Sequence, residues 1–279
     1  MAVRRRLDAE MLRRGLVPSR EQAARLINEG KVLVDGAIAD KPARQVLPGQ
    51  DVKLSGPPPK FVSRAGGKLA GALDHCRVDP SGLRCLDAGS STGGFTDCLL
   101  QRGAERVYAV DVGTHQLHER LRADIRVDVR EQTDVRSLSV EQLGGPVDLV
   151  VGDLSFISLG RVLPTLVGCA TPGATMLLLI KPQFEAGRQE ASKGKGIITD
   201  PSVWRRVLHE VAHAGVEAGA PMLDLVQSTV TGTNGNIEFV GRFVVGAEPL
   251  DPLALSDLID GAAGEQPKTL RPTTRGTTR

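Results

Sequence analysis

The spacing of apolar positions changes character once along the chain, near residue 60. Before that point Leu7, Met11 and Leu12 recur at helical spacing and Gly15 ends the run, which predicts a first short helix. The string SREQAARLINEG opens with Ser19 and Gln22 at capping-box spacing, sets Ala23, Leu26 and Ile27 on one face and stops at Gly30. KVLVDG then alternates as a strand and turns at Asp35-Gly36. GPPPK, residues 56–60, breaks the periodicity and reads as a stiff linker. From Phe61 onward short continuous apolar runs take over: RCLDAG, RVYAVDVG, VDLVVGDL and TMLLLIKP. Each ends in a polar or glycine-rich turn, and helical stretches separate them. That is the pattern of an α/β doubly wound sheet, whose ligands sit at the carboxyl ends of its strands. The expected organisation is a small α+β domain over 1–56, a linker over 57–62, an α/β domain over 63–248 and a disordered tail over 249–279.

Composition adds little to this until it is read locally. At 279 residues, 41% hydrophobic and 24% charged, the chain has core material for one large domain and a companion. The net charge is only +2, yet Arg4, Arg5, Arg6, Arg13, Arg14 and Arg20 crowd the first twenty positions against Asp8 and Glu10. Such a patch is either a phosphate-binding footprint or a solvated face. Cys76, Cys85, Cys98 and Cys169 show neither CxxC spacing nor a paired framework, so buried free thiols in a reducing compartment are expected. No apolar run nears the roughly 18 residues that span a bilayer, and no apolar segment follows the basic start. A soluble, cytoplasmic protein without membrane attachment is expected.

CLDAGSSTGGFTD, residues 85–97, reads as a strand, a glycine turn and a helix start. Asp87 closes the strand, and Gly89, Ser90, Gly93 and Gly94 let backbone approach a ligand. The spacing is not G-x-G-x-x-G, which disfavours a nicotinamide dinucleotide. The turn D-x-G-x-x-x-G-G instead resembles the S-adenosyl-L-methionine loop of class I methyltransferases. Asp111, at the next strand end, can accept from two ribose hydroxyls, and Asp134 in EQTD is placed to meet the adenine amino group. Each of these carboxylates could equally be a helix cap.

The methyl acceptor can be narrowed. DLSFISL, residues 153–159, lacks the N/D-P-P-Y/F motif of amino-directed base methylation. The cysteines follow His75, Arg84, Asp97 and Gly168, not the proline or threonine expected beside a pyrimidine-attacking thiol. A hydroxyl acceptor fits better. It needs a base or cation and a carboxylate to hold it. Asp153 and Lys181 end neighbouring strands and so meet at the cofactor edge, while Lys68 in SRAGGKL and Glu238 in GTNGNIEF can complete the group. Lys181 is then a catalytic cation or base, or only the partner of Asp153.

Two resemblances extend this reading. Leu7, Leu16, Ser19, Arg20, Ala23, Leu26, Ile27, Gly30, Val32, Val34, Asp35 and Gly36 resemble the S4-type RNA-binding domain. That likeness implies an RNA-docking surface, for which Arg4, Arg6, Arg14, Arg20 and Lys31 are the candidate contacts. SRAGGKL, LDAGSSTGGFTD, DLSFISL, LIKPQFE and GTNGNIEF resemble the TlyA (hemolysin A-like) family of FtsJ-type rRNA 2'-O-methyltransferases. The resemblance implies a catalytic tetrad of Lys68, Asp153, Lys181 and Glu238, S-adenosyl-L-methionine as cofactor, and cytidine 2'-O-methylation of 16S and 23S rRNA in the small and large ribosomal subunits. Ala65 stands where many relatives have glycine. A monomer without metal is expected, although HEVAH, residues 209–213, matches the zinc-protease pattern and would set His209 and His213 on one helix face. A non-enzymatic RNA-binding protein and a membrane-active hemolysin are the alternative classes.

Overall fold

The computed structural model describes residues 4–55, 59–187, 190, 194, 196–232 and 235–264. It divides into two compact units, residues 1–62 and 63–279. Part of the expected linker, residues 56–58, lies outside the described residues.

The first unit runs β1 (Arg5–Arg6), α1 (Leu7–Arg13), α2 (Arg20–Asn28), β2 (Val32–Val34), β3 (Ala37–Ile38), β4 (Gln45–Val46) and β5 (Val52–Leu54). Ser19 caps α2 by accepting the Gln22 amide at 3.1 Å. Asp35 and Gly36 both take positive φ, which folds β2 back onto β3 in a two-residue hairpin. Leu7, Met11, Ala23, Leu26, Ile27, Val32 and Val34 form a closed core. Leu12 does not join it and is exposed. Five residues along a helix from Leu7 it has rotated about 140° off the buried stripe, whereas Met11 has rotated only about 40°.

The second unit holds α3 (Ala65–Cys76), β6 (Arg84–Ala88), α4 (Gly94–Gln101), β7 (Arg106–Val110), α5 (Glu119–Arg122), β8 (Val127–Arg130), β9 (Val147–Gly152), α6 (Leu163–Gly168), β10 (Ala170–Ile180), α7 (Pro182–Glu185), α8 (Pro201–Glu217), β11 (Met222–Gln227), β12 (Phe239–Val244) and α9 (Pro252–Gly264). One seven-stranded sheet has the order β11-β12-β10-β9-β6-β7-β8. The apolar runs read from the sequence form its parallel part, and β12 alone runs against both its neighbours. The order of strands reverses between β6 and β9, which opens a crevice at their carboxyl ends.

The expected disordered tail is corrected over Pro252–Gly264, which is helix α9. Leu255, Leu258, Ile259, Ala262 and Ala263 follow the i, i+3, i+4, i+7 spacing of one helical face and join the main core. Asp251 accepts the amides of Leu253 and Ala254 at 3.0 Å and starts the helix. The remainder of that stretch, residues 265–279, lies outside the described residues.

Candidate active site

On one side of the crevice the chain leaves β6 in a turn that only glycine allows. Gly89 (φ +84°) donates to the Val110 carbonyl at 2.8 Å, and a side chain there would press on the Asp153 carbonyl. Gly93 (φ +92°) starts α4, and any Cβ would overlap Leu117 and Leu121. A Cβ on Gly94 would strike Ser63 and Ala65, the first residue of α3. Ala65 itself is helical, a conformation alanine favours, so the departure from glycine leaves α3 intact.

Asp87 is fully buried and accepts the Thr96 hydroxyl at 2.6 Å through Oδ2, while Oδ1 has no hydrogen-bond partner among the described residues. Burial pushes its carboxyl up to about 7, against the pull of the Thr96 hydroxyl and amide. An orphaned acceptor beside a glycine-rich turn fits a ligand that carries an ammonium group. The elevated value also has a consequence for the ligand-free protein. Between an unfolded value near 3.8 and a folded value near 7 the native state holds a proton that the unfolded chain has lost. Stability is therefore expected to fall as pH rises through this window, by on the order of 1.4 kcal/mol for each pH step of one. Denaturant titrations at pH 4.5 and 7.5 should show the decline, and Asp87→Asn should reduce it; an equal decline in both proteins would count against it.

Asp111 accepts the Ser91 amide at 2.8 Å and the Gly113 amide at 2.7 Å, which leaves lone pairs for two further donors. The turn after it is held by Glu131, a residue that sequence reasoning passed over although it begins EQTD. Its carboxylate takes the amides of His115, Gln116 and Leu117 at 2.8, 3.1 and 3.4 Å and pairs with Arg122. Asp134 serves as a cap. It accepts the Arg136 amide at 2.9 Å and forks with the Arg136 guanidinium, which holds its carboxyl down at about 2.

On the other side four charged side chains form an alternating row. Glu238 Oε2 lies 2.5 Å from Lys68 Nζ, Lys68 Nζ lies 4.0 Å from Asp153 Oδ2, and Asp153 Oδ1 lies 2.5 Å from Lys181 Nζ. Lys181 also donates to the Ser155 hydroxyl at 3.0 Å. Lys68, Lys181 and Glu238 are each no more than 7% exposed. Burial of these three charges is tolerable because each cation has a carboxylate against it.

Sheet register explains the convergence. Leu178 of β10 lies beside Gly152 of the parallel β9, so Asp153 leaves the sheet next to the end of β10. Ile180 is opposite Phe239 of the antiparallel β12, so the next step along each strand brings Lys181 and Glu238 to one edge. Lys68 arrives from α3, where Gly67 and Gly71 admit Val230 and Thr229 against the helix. Gly232 has no room for a side chain beside the Glu238 carboxylate. At the mouth, Phe156 is 90% exposed with φ +63°, a strained value for this residue, and its ring meets Phe184 at 4.9 Å.

His209 and His213 lie on α8 and are exposed, and His213 approaches Glu217 at 3.4 Å. Among the described residues no group of three His, Cys, Asp or Glu could hold a metal ion. Among them, too, no helix is long and apolar enough to cross a membrane.

The basic residues of the first unit are ordered by two buried carboxylates. Asp8 takes Arg6 and Arg20, each at 2.9 Å. Glu10 takes Arg13 and Arg14 at 2.6 and 2.8 Å, with Arg5 at 3.7 Å. The pairing with Arg6 holds Asp8 down at about 2, and that with Arg13 does the same for Glu10. Arg4 is exposed, and Lys31 pairs with Glu29 at 2.8 Å. Arg14 differs from the other candidate contacts. Only 20% of its side chain is exposed, and it donates to the carbonyls of Gln50 and Pro48 at 2.8 and 3.0 Å. It braces the unit from within.

Comparison with known proteins agrees with this geometry. Residues 61–243 match the FtsJ-like methyltransferase family and residues 5–52 match the S4 domain. The chain is 48% identical over 240 residues to the 16S/23S rRNA (cytidine-2'-O)-methyltransferase TlyA of Mycobacterium tuberculosis, covering 86% of this chain and 89% of that one. It is 35% identical over 241 residues to Hemolysin A of Brachyspira hyodysenteriae, covering 86% of this chain and all of the relative. A solved structure described as a hemolysin from Streptococcus thermophilus superposes with a TM-score of 0.74 at 36% identity, covering 95% of this chain and 97% of that one. Fold, glycine turn and family match define a methyltransferase. The chain belongs to the TlyA, hemolysin A-like family of FtsJ-like methyltransferases, with an S4 domain at its N-terminus.

Proposed function

We propose that the protein methylates the ribose 2'-OH of cytidine in 16S and 23S rRNA within the small and large ribosomal subunits, acting as a cytoplasmic monomer with S-adenosyl-L-methionine as methyl donor. The row Glu238–Lys68–Asp153–Lys181 beside the glycine turn carries this reading. A ribose hydroxyl is a poor nucleophile until its proton is removed or strongly polarised. Asp153 and Ser155 hold the Lys181 amino group in one position, where as an amine it can accept that proton or as an ammonium it can stabilise the oxyanion the proton leaves behind. Glu238 fixes Lys68 from the far side, so the second cation reinforces the field at Asp153.

S-adenosyl-L-methionine, when bound, supplies an electrophilic methyl on a sulfonium. Asp87, Gly89, Ser90, Gly93, Gly94, Asp111 and Asp134 are the residues that would hold it. The Asp87 carboxylate has an unused acceptor for the amino group and Asp111 has spare acceptors for the ribose. The exposed Phe156 ring offers a stacking face to the acceptor base. Each purified subunit, incubated with methyl-labelled cofactor and mapped for ribose methylation, tests the proposal. Label on a base, or none on either subunit, would overturn it.

Docking is assigned to the first unit. Arg4, Arg6, Arg20 and Lys31 present side chains to solvent, and the arginine cluster stays net positive beside Asp8 and Glu10. Arg6→Ala with Arg20→Ala is expected to weaken subunit binding about tenfold or more and to flatten its salt dependence by about one in log–log slope per arginine. Cofactor affinity should not change. An unaltered salt slope would remove these two residues from the docking face.

A further inference from the structure

The segments that carry Asp153 and Lys181 are joined at two further points besides the contacts Lys181 makes to Asp153 and Ser155. Lys181 caps α7, and its carbonyl accepts the amides of Phe184 and Glu185 at 2.9 and 3.2 Å. From that single turn the Phe184 ring reaches Phe156, and the Glu185 carboxylate accepts the Leu159 amide at 2.9 Å. Lys181, Phe184 and Glu185 therefore meet Asp153, Phe156 and Leu159 in the same order, as ion pair, ring pair and carboxylate–amide bond.

Glu185 makes the outermost tie, and it reaches backbone at the Leu159 amide. It is partly buried, and burial raises its carboxyl above the usual range while the Ser158 hydroxyl and the Leu159 amide oppose that shift. Leu159 opens a short 3-10 turn, so its amide has no partner within that turn. Without the carboxylate a donor is stranded, and the strained Phe156 loses a support next to it. Neither Glu185 nor the Leu159 amide belongs to the row Glu238–Lys68–Asp153–Lys181.

We propose that Glu185 is a positioning residue for methyl transfer: by gripping the Leu159 amide it holds the Asp153–Ser155 segment where Asp153 and Ser155 orient Lys181. This rests on Lys181 acting on the acceptor hydroxyl. A plain cap would add stability without setting the rate.

Four full-length proteins decide between these: wild type, Glu185→Gln, Glu185→Asp and Glu185→Leu. The glutamine carbonyl can still accept the amide, the aspartate keeps charge but loses reach, and the leucine loses both. With ribosomal subunits as substrate, Glu185→Gln should keep kcat within about threefold, while Glu185→Asp and Glu185→Leu should lose at least about tenfold, with the cofactor KM nearly unchanged. Hydrogen exchange at residues 153–159 should quicken about tenfold or more in the same two variants. Near-normal kcat in Glu185→Leu overturns the proposal. So does a glutamine variant that falls as far as leucine, or a loss of kcat that only follows the melting temperature. If Glu185→Leu does not fold, the Gln and Asp pair decides. If wild type places no methyl on rRNA, the proposed function fails instead. The exchange experiment still judges the tether, and unchanged protection in Glu185→Asp overturns it.

Discussion

Lys181→Ala is expected to bind cofactor and ribosomal subunits normally and to transfer methyl at least about a hundredfold more slowly, the low end for a lost acid–base group. The expectation follows from where the amino group sits. It is almost fully buried, in contact with Asp153 and Ser155, and 5.6 Å from the centre of the Phe184 ring. Its polar partners are Asp153 and Ser155, neither of them in the glycine turn, so truncation is expected to leave the cofactor residues in place. Lys181→Arg should fail as well. A planar guanidinium needs more room than this site offers, and unlike an amine it cannot give up its proton. If Lys181 only tied two strand ends together, arginine would satisfy Asp153 and turnover would remain near normal. Single-turnover rates on purified subunits at saturating cofactor separate the two roles, and an active arginine variant would sink the catalytic one.

Glu238→Leu is expected to be the most destabilising change in the row. It leaves the Lys68 ammonium buried with its nearest carboxylate gone and Asp153, at 4.0 Å, as the remaining carboxylate partner among the described residues. Breaking such a pair from one side loses about 3–5 kcal/mol. For a domain of this size that lowers the melting temperature by roughly 6–20 °C. Removing the second charge should reverse most of the loss. Lys68→Met with Glu238→Leu places two apolar side chains where two charges were, and buried pairs replaced in this way are often neutral or better. The double variant should therefore melt near wild type and still transfer methyl slowly. That combination distinguishes a row kept for chemistry from one kept for stability. Recovery of activity together with stability would show that Lys68 and Glu238 only pack. Additive destabilisation would show that they are not coupled.

Much of this was legible in the chain. The parallel strands are short apolar runs, because a strand covered on both faces has no polar side to show. Asp87, Asp111, Asp153 and Lys181 stood out because a strand's carboxyl end is where a polar side chain can serve a ligand without entering the core. Helix α9 was not read from the sequence, in which the stretch passed for part of a disordered tail. Leu255, Leu258, Ile259, Ala262 and Ala263 carry its period, although the low-complexity residues after 264 mask it when the stretch is taken by composition. Leu12 has the hydrophobicity of a core residue but the wrong rotation about its helix.

Pairing was a different matter. That Lys68 reaches Glu238, 170 positions away, depends on β12 running against its neighbours and on α3 closing over the crevice. Nothing local in FVGRFV specifies that direction. Asp8 and Glu10 look like solvated charges in the sequence, and only folding shows them buried under arginines that then point outward as a set. Arg14 also braces its unit and Asp134 also caps a turn for the same reason: a charged side chain takes the nearest strong partner, and what is nearest is settled in three dimensions. Period and composition act between neighbours along the chain, so the sequence by itself determined which segments become strands and helices and which ends are chemical. Which of those ends meet, and at what distance, was decided only by sheet order and register, where contacts between remote segments outweigh local preference.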